Sequence, residues 1–422
     1  MPLRKPVLAL VLTAVVLGTG GAAAQPPVVA PLRYGGIAAD PRAPDGIAPL
    51  PAGPHAVAQP PDAAQRRWLA SGLVPGATRA QRATAARALL DVRLLTQPDG
   101  AVAAAWRPGW EYAWPRDSSW VAAALAVTGH GGTALDILRF LARVQPRTGI
   151  WAARYELSGD APVRDGRPAE LDAAGWFPWA AWIWYTTQRS DRATRRALGD
   201  LWPAVHNAAD ATVALLGRDG LPPASLDYWE DRVSSVTLGI AAPLWTGLRA
   251  AAELARALDH AEDAGRWSAA ARRLDQAIRV SFGASGYQRT PDSGSGADAA
   301  VTFLGPPFAP ATPAVRQAVA ATARRLTLPN GGIAPGSAWG GAAGEAWTAE
   351  TAFFALYDAA CGDHAGAAHW LDWLADHRTG FGSLPEQVNA RGQPASVAPL
   401  AWTDAIVLLA LVEQRHPLPM PQ

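Results

Sequence analysis

A chain of 422 residues, 49% of them hydrophobic, is long enough to bury one large core or two modest ones. Its 37 basic and 36 acidic residues leave a formal net charge of +1, so we expect no nucleic acid partner and no binding to anionic lipid. Tryptophan is abundant, with 19 residues against 7 tyrosines. Because indole rings stack well on sugar faces, this bias is suggestive of a carbohydrate ligand.

The first 24 residues have the pattern of a secretory signal peptide. Arg4 and Lys5 precede an apolar run at residues 6–17, and small residues follow as far as Ala24. The run is shorter than the roughly 20 residues that span a bilayer, so the sequence predicts cleavage after Ala24 rather than a stable membrane anchor. The expected location is secreted or periplasmic, and with Cys361 as its only cysteine the chain forms no internal disulfide.

Residues 25–61 are rich in Pro, Ala and Gly and have little periodic hydrophobicity. This composition predicts an extended arm or linker, either disordered or lying along the domain that follows. The remaining residues, 62–422, are expected to form one domain without a preceding β-sandwich.

Helical periodicity dominates the chain after the arm, starting with the capping-box pair Thr78 and Gln81 before the first long helix. Further helices are predicted at 117–128, 133–144, 173–187, 192–216, 236–259, 262–282, 313–326, 345–360, 365–377 and 399–414. About eleven helices without alternating strands favour an all-α (α/α)6 toroid of six inner and six outer helices. A solenoid of helical pairs is the structural alternative, although no repeat of fixed period is visible.

Three predicted loops combine carboxylates with aromatic residues, at 110–117, 226–232 and 382–387. Glycoside hydrolysis needs two carboxyl groups on either side of the scissile bond, one protonated and one ionised. Simpler roles are equally open from the residues alone. Asp117 fits a helix N-cap, residues 230–232 fit a solvated charge cluster, and Glu386 fits an exposed loop residue.

The segments WEYAWPRDSSWVAAAL, GLPPASLDYWEDR and GSLPEQVNARGQPASVAPLAWTDAIVLLAL resemble the signature regions of family 15 of the glycoside hydrolases. That family contains glucoamylases, glucodextranases and some trehalases. With weaker matches between them, the similar segments run in the family's order from about residue 94 to residue 411. The resemblance implies an (α/α)6 catalytic barrel over residues 62–422 and an inverting, exo-acting α-glycoside hydrolase that releases a terminal sugar, most often glucose.

The resemblance also implies roles for individual residues. Glu230 corresponds to the general acid and Glu386 to the general base. The residues that correspond to substrate-binding positions are Tyr112, Arg116, Asp117, Trp229 and Asp231. The implied protein is a monomer that acts on an oligo- or polysaccharide and uses no metal and no cofactor.

One segment departs from the family's pattern. After LPNGGI the chain reads APGSAWGGAAGEAWTAETAFF, which contains no arginine, and only Trp347 is a counterpart of the family's sugar-pocket residues there. This departure keeps open a trehalase or an α-1,6-glucan hydrolase on the same fold. A sugar-binding relative without activity is a third interpretation, against which the presence of both Glu230 and Glu386 argues.

Overall fold

The computed structural model describes residues 30–53 and 55–422. The predicted signal peptide and its cleavage site lie outside the described residues. The long elements are α-helices, which follow one another along the chain as α1 (Ala63–Ala70), α2 (Arg79–Leu95), α3 (Pro115–Val127), α4 (Gly131–Val144), α5 (Ala173–Thr187), α6 (Arg192–Leu215), α7 (Leu238–Ala257), α8 (Ala261–Ser281), α9 (Pro313–Leu326), α10 (Thr348–Ala360), α11 (His364–Asp376) and α12 (Ala401–Glu413). Shorter elements are the 3₁₀ helices Gly283–Ser285 and Ala299–Leu304 and the strands β1 (Tyr34–Ala39), β2 (Ile47–Pro51), β3 (Ala346–Trp347), β4 (Gln387–Val388) and β5 (Pro394–Ala395).

The helices form a closed double ring. Helix α3 packs against α5, and α5 packs against α7. The 3₁₀ helix Ala299–Leu304 then joins α7 to α10, and α12 closes the ring between α10 and α3. Each inner element has an outer helix beside it, namely α4, α6, α8, α9, α11 and α2 in the same order. The predicted all-α (α/α)6 toroid is therefore confirmed, with a short 3₁₀ helix as its fourth inner member.

The hydrophobic pattern of each helix explains its place in the ring. Every residue of α12 is buried, as are nearly all residues of α5, because inner helices are covered on all sides. An outer helix such as α9 buries a single stripe at Val315, Val319 and Leu326 and exposes its other face. Among the described helices, none combines the length and hydropathy that crossing a membrane requires.

Two glycines let α5 and α7 cross at backbone contact. A Cβ atom on Gly175 would lie 2.1 Å from the carbonyl oxygen of Pro243, and one on Gly247 would lie 2.5 Å from the Cα atom of Gly175. Because real Cβ contacts are never this short, any larger residue at either position would force the two inner helices apart.

The helix boundaries differ from the predicted ones where tertiary contacts decide them. The ranges 173–187 and 313–326 are confirmed to the residue, and α1 was not predicted as a helix. The helix predicted at 345–360 begins only at Thr348, since residues 346 and 347 pair with β4 as strand β3. A backbone group bonded to a neighbouring strand is no longer available to start a helix.

The segment expected to be an arm or linker is an ordered arm in its described part. Strands β1 and β2 form an antiparallel hairpin, in which Ile37 and Ile47 are buried. The hydroxyl of Thr379 donates to the carbonyl of Gly35, and the backbone amide of Ser396 donates to the carbonyl of Ala30 at 2.8 Å. Backbone pairing and two buried isoleucines thus hold the segment against the barrel despite its Pro- and Gly-rich composition.

Candidate functional site

All three aromatic and acidic loops line a single cavity of about 570 Å³. The first contributes Trp110 and Trp114, together with Arg116 and Asp117 at the start of α3. The second contributes the residues from Tyr228 to Glu230, and the third contributes Glu386 and Gln387. Residues that are far apart in the sequence therefore meet where the first turns of inner helices face the connecting loops.

Glu386 lies at the end of the central strand of a small three-stranded sheet. It immediately precedes β4, which pairs with β3 on one side and β5 on the other. Its backbone amide donates to the carbonyl of Val397 at 2.8 Å, and its carbonyl accepts from the amide of Thr348 at 3.1 Å. This pairing fixes the backbone on both sides of the residue, so the carboxyl group has a defined position.

The carboxyl group of Glu386 accepts two hydrogen bonds. The indole nitrogen of Trp110 donates to Oε1 at 3.1 Å, and the hydroxyl of Ser396 donates to Oε2. Burial raises the pKa of Glu386, and the two donors act in the opposite direction by stabilising the carboxylate. The pKa of this buried carboxyl group stays above its ordinary value, and the two hydrogen bonds orient the group and offset part of that rise.

Glu230 lies in a contrasting environment. Its backbone is left-handed, with φ of 56°, and its side chain is 29% exposed. The indole nitrogen of Trp114 donates to its Oε1 at 3.0 Å. Its backbone amide donates to the carbonyl of Asp227 at 2.7 Å, which closes the tight turn that carries it.

An arginine on the loop before α5 pairs with Glu230. Arg167 contacts the Oε2 atom of Glu230 and lies 3.1 Å from Asp165, which also binds Arg154 at 2.5 Å. Arg154 in turn covers the rings of Tyr112 and Trp114, at 4.6 and 4.9 Å from the ring centroids. Side chains from loops far apart in sequence thus form one network around Glu230, and the sequence interpretation had assigned no role to either arginine.

Arg116 and Asp117, which line the cavity, belong to a buried cluster of charges that extends behind its wall. The guanidinium of Arg116 forms an ion pair with Glu170, and its nitrogen atoms lie 3.4 Å from carboxylate oxygens of Asp172 and Asp117. Its Cζ atom lies 4.8 Å from the ring centroid of Trp402, over the face of the indole. Burial raises the pKa of Asp117 to about 6, against the opposing charge of Arg116. Two carboxyl groups that the sequence interpretation left without a role, Glu170 and Asp172, therefore share with Asp117 the compensation for the buried arginine.

Two of the residues predicted to bind substrate do not line the cavity. Tyr112 lies under Arg154, and the nearby indole that reaches the cavity and Glu386 is that of Trp110. A turn at residues 107–110 changes the direction of the chain just before Tyr112. The positions of the aromatic residues in the sequence therefore did not indicate which ring faces the cavity. Asp231 is exposed and also lies outside the lining, whereas Trp229 does line the cavity.

Several polar groups on the cavity walls are buried and have no hydrogen-bond partner among the described residues. Four lining tryptophans have buried indole N–H groups without a hydrogen-bond partner among the described residues: Trp229, Trp339, Trp347 and Trp402. Glu350, which the sequence interpretation missed, has a buried Oε2 atom in the same condition. A lone carboxylate in the apolar run TAETAFFALY was the signal that could have identified it. Indole faces combined with free donors suit a ligand with both apolar faces and hydroxyl groups.

Solved structures resemble this architecture over most of its length. A glycosidase in complex with glucose aligns with 85% of this chain and 100% of its own, at a TM-score of 0.67 and 20% identity. A bacterial glucoamylase complexed with acarbose aligns over 84% of this chain and 58% of its own, with a TM-score of 0.63 and 16% identity. The glucoamylase of Saccharomycopsis fibuligera aligns over 86% of this chain and 97% of its own, with a TM-score of 0.62 and 14% identity. The chain has the glucoamylase fold.

The sequence match to a known protein covers less of this chain than the structural matches do. An uncharacterized glycosyl hydrolase of Methanocaldococcus jannaschii is 23% identical over 354 residues, which cover 78% of this chain. The match spans only 55% of that relative's length. The sequence matches no protein-family model. The resemblance predicted from the three signature segments is therefore confirmed as a glucoamylase fold.

Proposed function

We propose that this protein is an exo-acting, inverting α-glycoside hydrolase that releases a terminal sugar, with glucose as the first candidate. One observation carries the proposal. Glu230 and Glu386 line the same cavity, and each receives an indole N–H donor, from Trp114 and Trp110 respectively. Two oriented carboxyl groups on one sugar-sized cavity are the minimum machinery for hydrolysing a glycosidic bond.

The different surroundings of the two carboxyl groups support different roles. Glu386, buried and doubly hydrogen-bonded, takes a proton from water while that water attacks the anomeric carbon. Glu230, which is partly exposed, gives its proton to the glycosidic oxygen as the bond to the leaving group breaks. Arg167, which contacts Glu230, is itself 34% exposed, and we expect it to move aside when the substrate binds. Attack opposite to the leaving group inverts the configuration, so an α-glycoside gives a β-sugar.

The remaining walls favour a single terminal sugar. Asp117 is positioned to accept hydrogen bonds from sugar hydroxyls, and Arg116 behind it is held by its own carboxylate partners. The indole N–H groups of Trp347 and Trp402 offer further donors from the cavity walls. Glucose is the first candidate for the sugar because the solved glycosidase of similar fold is described in complex with glucose.

The decisive experiment follows the first-formed product by proton NMR. The purified protein is incubated separately with maltose, maltotriose, isomaltose and trehalose. We expect β-glucose as the first product of at least one of them, before mutarotation. The α-anomer at the newly formed reducing centre of the released sugar would contradict inversion, whereas the leaving-group sugar keeps its own configuration, so that trehalose gives α- and β-glucose in equal amounts. Internal cleavage of a longer maltooligosaccharide would contradict exo action. If none of the four is hydrolysed and glucose still binds, the protein is a sugar-binding relative.

Export is proposed from the sequence alone, and it has a separate test. The amino terminus of the protein secreted by a bacterial host should begin at Gln25. An intact terminus on protein that stays with the cells would contradict the proposed cleavage after Ala24.

A further inference from the structure

Two acidic residues occupy matching positions on two inner helices. Asp117 follows the N-cap residue Trp114 of α3 by three positions, and Glu350 follows the N-cap residue Trp347 of α10 by three positions. Both lie in the first turn of their helix, both are buried, and both line the cavity. We call the wall formed by Asp117, Glu350 and Trp402 the helix-end wall.

The carboxyl group of Glu350 has no structural partner that accounts for its burial. It is 2% exposed, and its Oε2 atom has no hydrogen-bond donor or acceptor among the described residues. Burial raises its pKa most, the backbone amide of Glu350 itself lowers it, and the raising effect of Glu386 and Asp298 opposes the smaller lowering effect of Arg116. A buried polar atom without a partner carries a free-energy cost, which a ligand can remove by bonding to it.

The chemical state of Glu350 suits a hydroxyl ligand. Burial raises its pKa to about 8, with further contributions from the neighbouring carboxylates. At neutral pH the group is therefore mostly a neutral carboxylic acid, which can donate one hydrogen bond and accept others. A sugar hydroxyl has the same double capacity, whereas a purely apolar group would leave the carboxyl oxygen unpaired.

A simpler explanation is that Glu350 only stabilises the start of α10. Carboxylates in the first turn interact favourably with the positive end of a helix dipole. That interaction does not require burial, since Glu262 occupies the first turn of outer helix α8 while exposed to solvent. Helix stabilisation therefore does not explain why Glu350 is buried on the cavity wall.

We propose that Glu350 binds a hydroxyl group of the sugar that lies against the helix-end wall and thereby selects the configuration of that sugar. The proposal rests on the proposed glycosidase function and names one residue of its specificity. Segment 334–347 offers no arginine on this side of the cavity. The sugar must then satisfy Glu350 and the free indole donors, which favours a neutral sugar with an unsubstituted hydroxyl at the contact.

The test pairs substitutions of Glu350 with the removal of single hydroxyl groups from the ligand. Inhibition constants for glucose and for each monodeoxy analogue of glucose are measured against the hydrolysed substrate. Three variants are compared with the wild type: Glu350→Leu, Glu350→Asp and the control Glu262→Leu. The Asp variant keeps a first-turn carboxylate for the helix but is one methylene too short to make the same contact.

We expect the wild type to bind one monodeoxy analogue about 10-fold more weakly than glucose. Glu350→Leu and Glu350→Asp should bind glucose about 10-fold more weakly and should no longer distinguish it from that analogue. Glu262→Leu should behave like the wild type. If the Leu variant does not fold, the Asp variant decides.

Two results would overturn the proposal while leaving the glycosidase function intact. One is that the Asp variant weakens glucose and every analogue equally, and the other is that it preserves the wild-type discrimination. A wild type that neither hydrolyses an α-glucoside nor binds glucose would instead refute the proposed function, and the selection by Glu350 with it.

Discussion

The two loops that carry Glu230 and Glu386 are built in opposite ways. Glu386 is buried beside a three-stranded sheet, with hydrogen bonds from Trp110 and Ser396. Glu230 sits in a tight turn at φ of 56°, with one indole donor and an exposed arginine. Glu386 itself is not among the residues with positive φ, so the backbone of the proposed base is in an ordinary conformation.

This contrast matches the demands of the two proposed roles. A base that activates one water needs a fixed position and a dry, hydrogen-bonded surrounding. An acid beside the leaving group must be reprotonated in every cycle, and its side of the cavity must open for the departing sugar. The Glu386 loop therefore suits the proposed base and the Glu230 loop the proposed acid. Each part of this comparison can be tested separately.

The largest expected effect comes from removing each carboxyl group in turn. Glu230→Gln and Glu386→Gln should each reduce turnover of a maltooligosaccharide by at least ~100-fold, because each removes one partner of the acid and base pair. With α-glucosyl fluoride, whose leaving group needs little protonation, Glu230→Gln should recover much of its rate and Glu386→Gln should not. Equal recovery of the two variants in steady-state kinetics would show that the roles are assigned wrongly.

A smaller effect is expected from the indole donors. Trp110→Phe removes a hydrogen bond that lowers the pKa of Glu386, so that pKa rises further above its ordinary value. The base must be ionised to act, and activity lost on acidification should therefore be lost at a higher pH in this variant. The pH dependence of kcat/KM measures the shift.

Trp114→Phe, which removes the donor to Glu230 instead, is the matched control and should leave the acidic limb of that profile in place. An acidic limb that moves equally in the two variants would mean that the indole bonds do not act on separate carboxyl groups.

The smallest expected effect concerns stability. Glu230→Gly relieves the left-handed strain of a residue with a Cβ atom, worth about 1 kcal/mol, and should raise the melting temperature by about 1 to 2 °C while abolishing activity. Asp231→Gly, which is not at positive φ, should instead lower it slightly. Calorimetry also compares Glu230→Gly with Glu230→Ala, which loses the same contacts of the carboxyl group but keeps a Cβ atom, and equal melting temperatures of these two would show that the Glu230 turn is not strained.

Sequence periodicity predicted most of the helices of the ring. Helix α9 begins at Pro313 after the N-cap Thr312, and its range was predicted to the residue. The fourth inner element was not predicted, since Ala299–Leu304 is too short for a helical period to show.

The site was predictable as far as short motifs carry information. The segments around Glu230 and Glu386 pointed to residues that do line one cavity. The roles of Trp110, Arg167 and Glu350 depend on contacts between segments far apart in the chain. The roles of Glu170 and Asp172 could not be predicted for the same reason, because only the fold brings these residues to Arg116. No local pattern records such contacts, and only the isolated Glu350 in its apolar helix left a visible sign.

The closure of the ring by α12 has a consequence for how the protein is made. This entirely buried helix ends at Glu413, close to the carboxyl end of the sequence, and it packs against α2 and α3, which are among the first helices to be synthesised. The inner faces of α3 and α10 therefore stay uncovered until α12 itself has been synthesised. Contacts between such distant segments slow folding and leave intermediates with exposed apolar surface, so we expect chaperones that bind such surface to matter most before α12 has been synthesised.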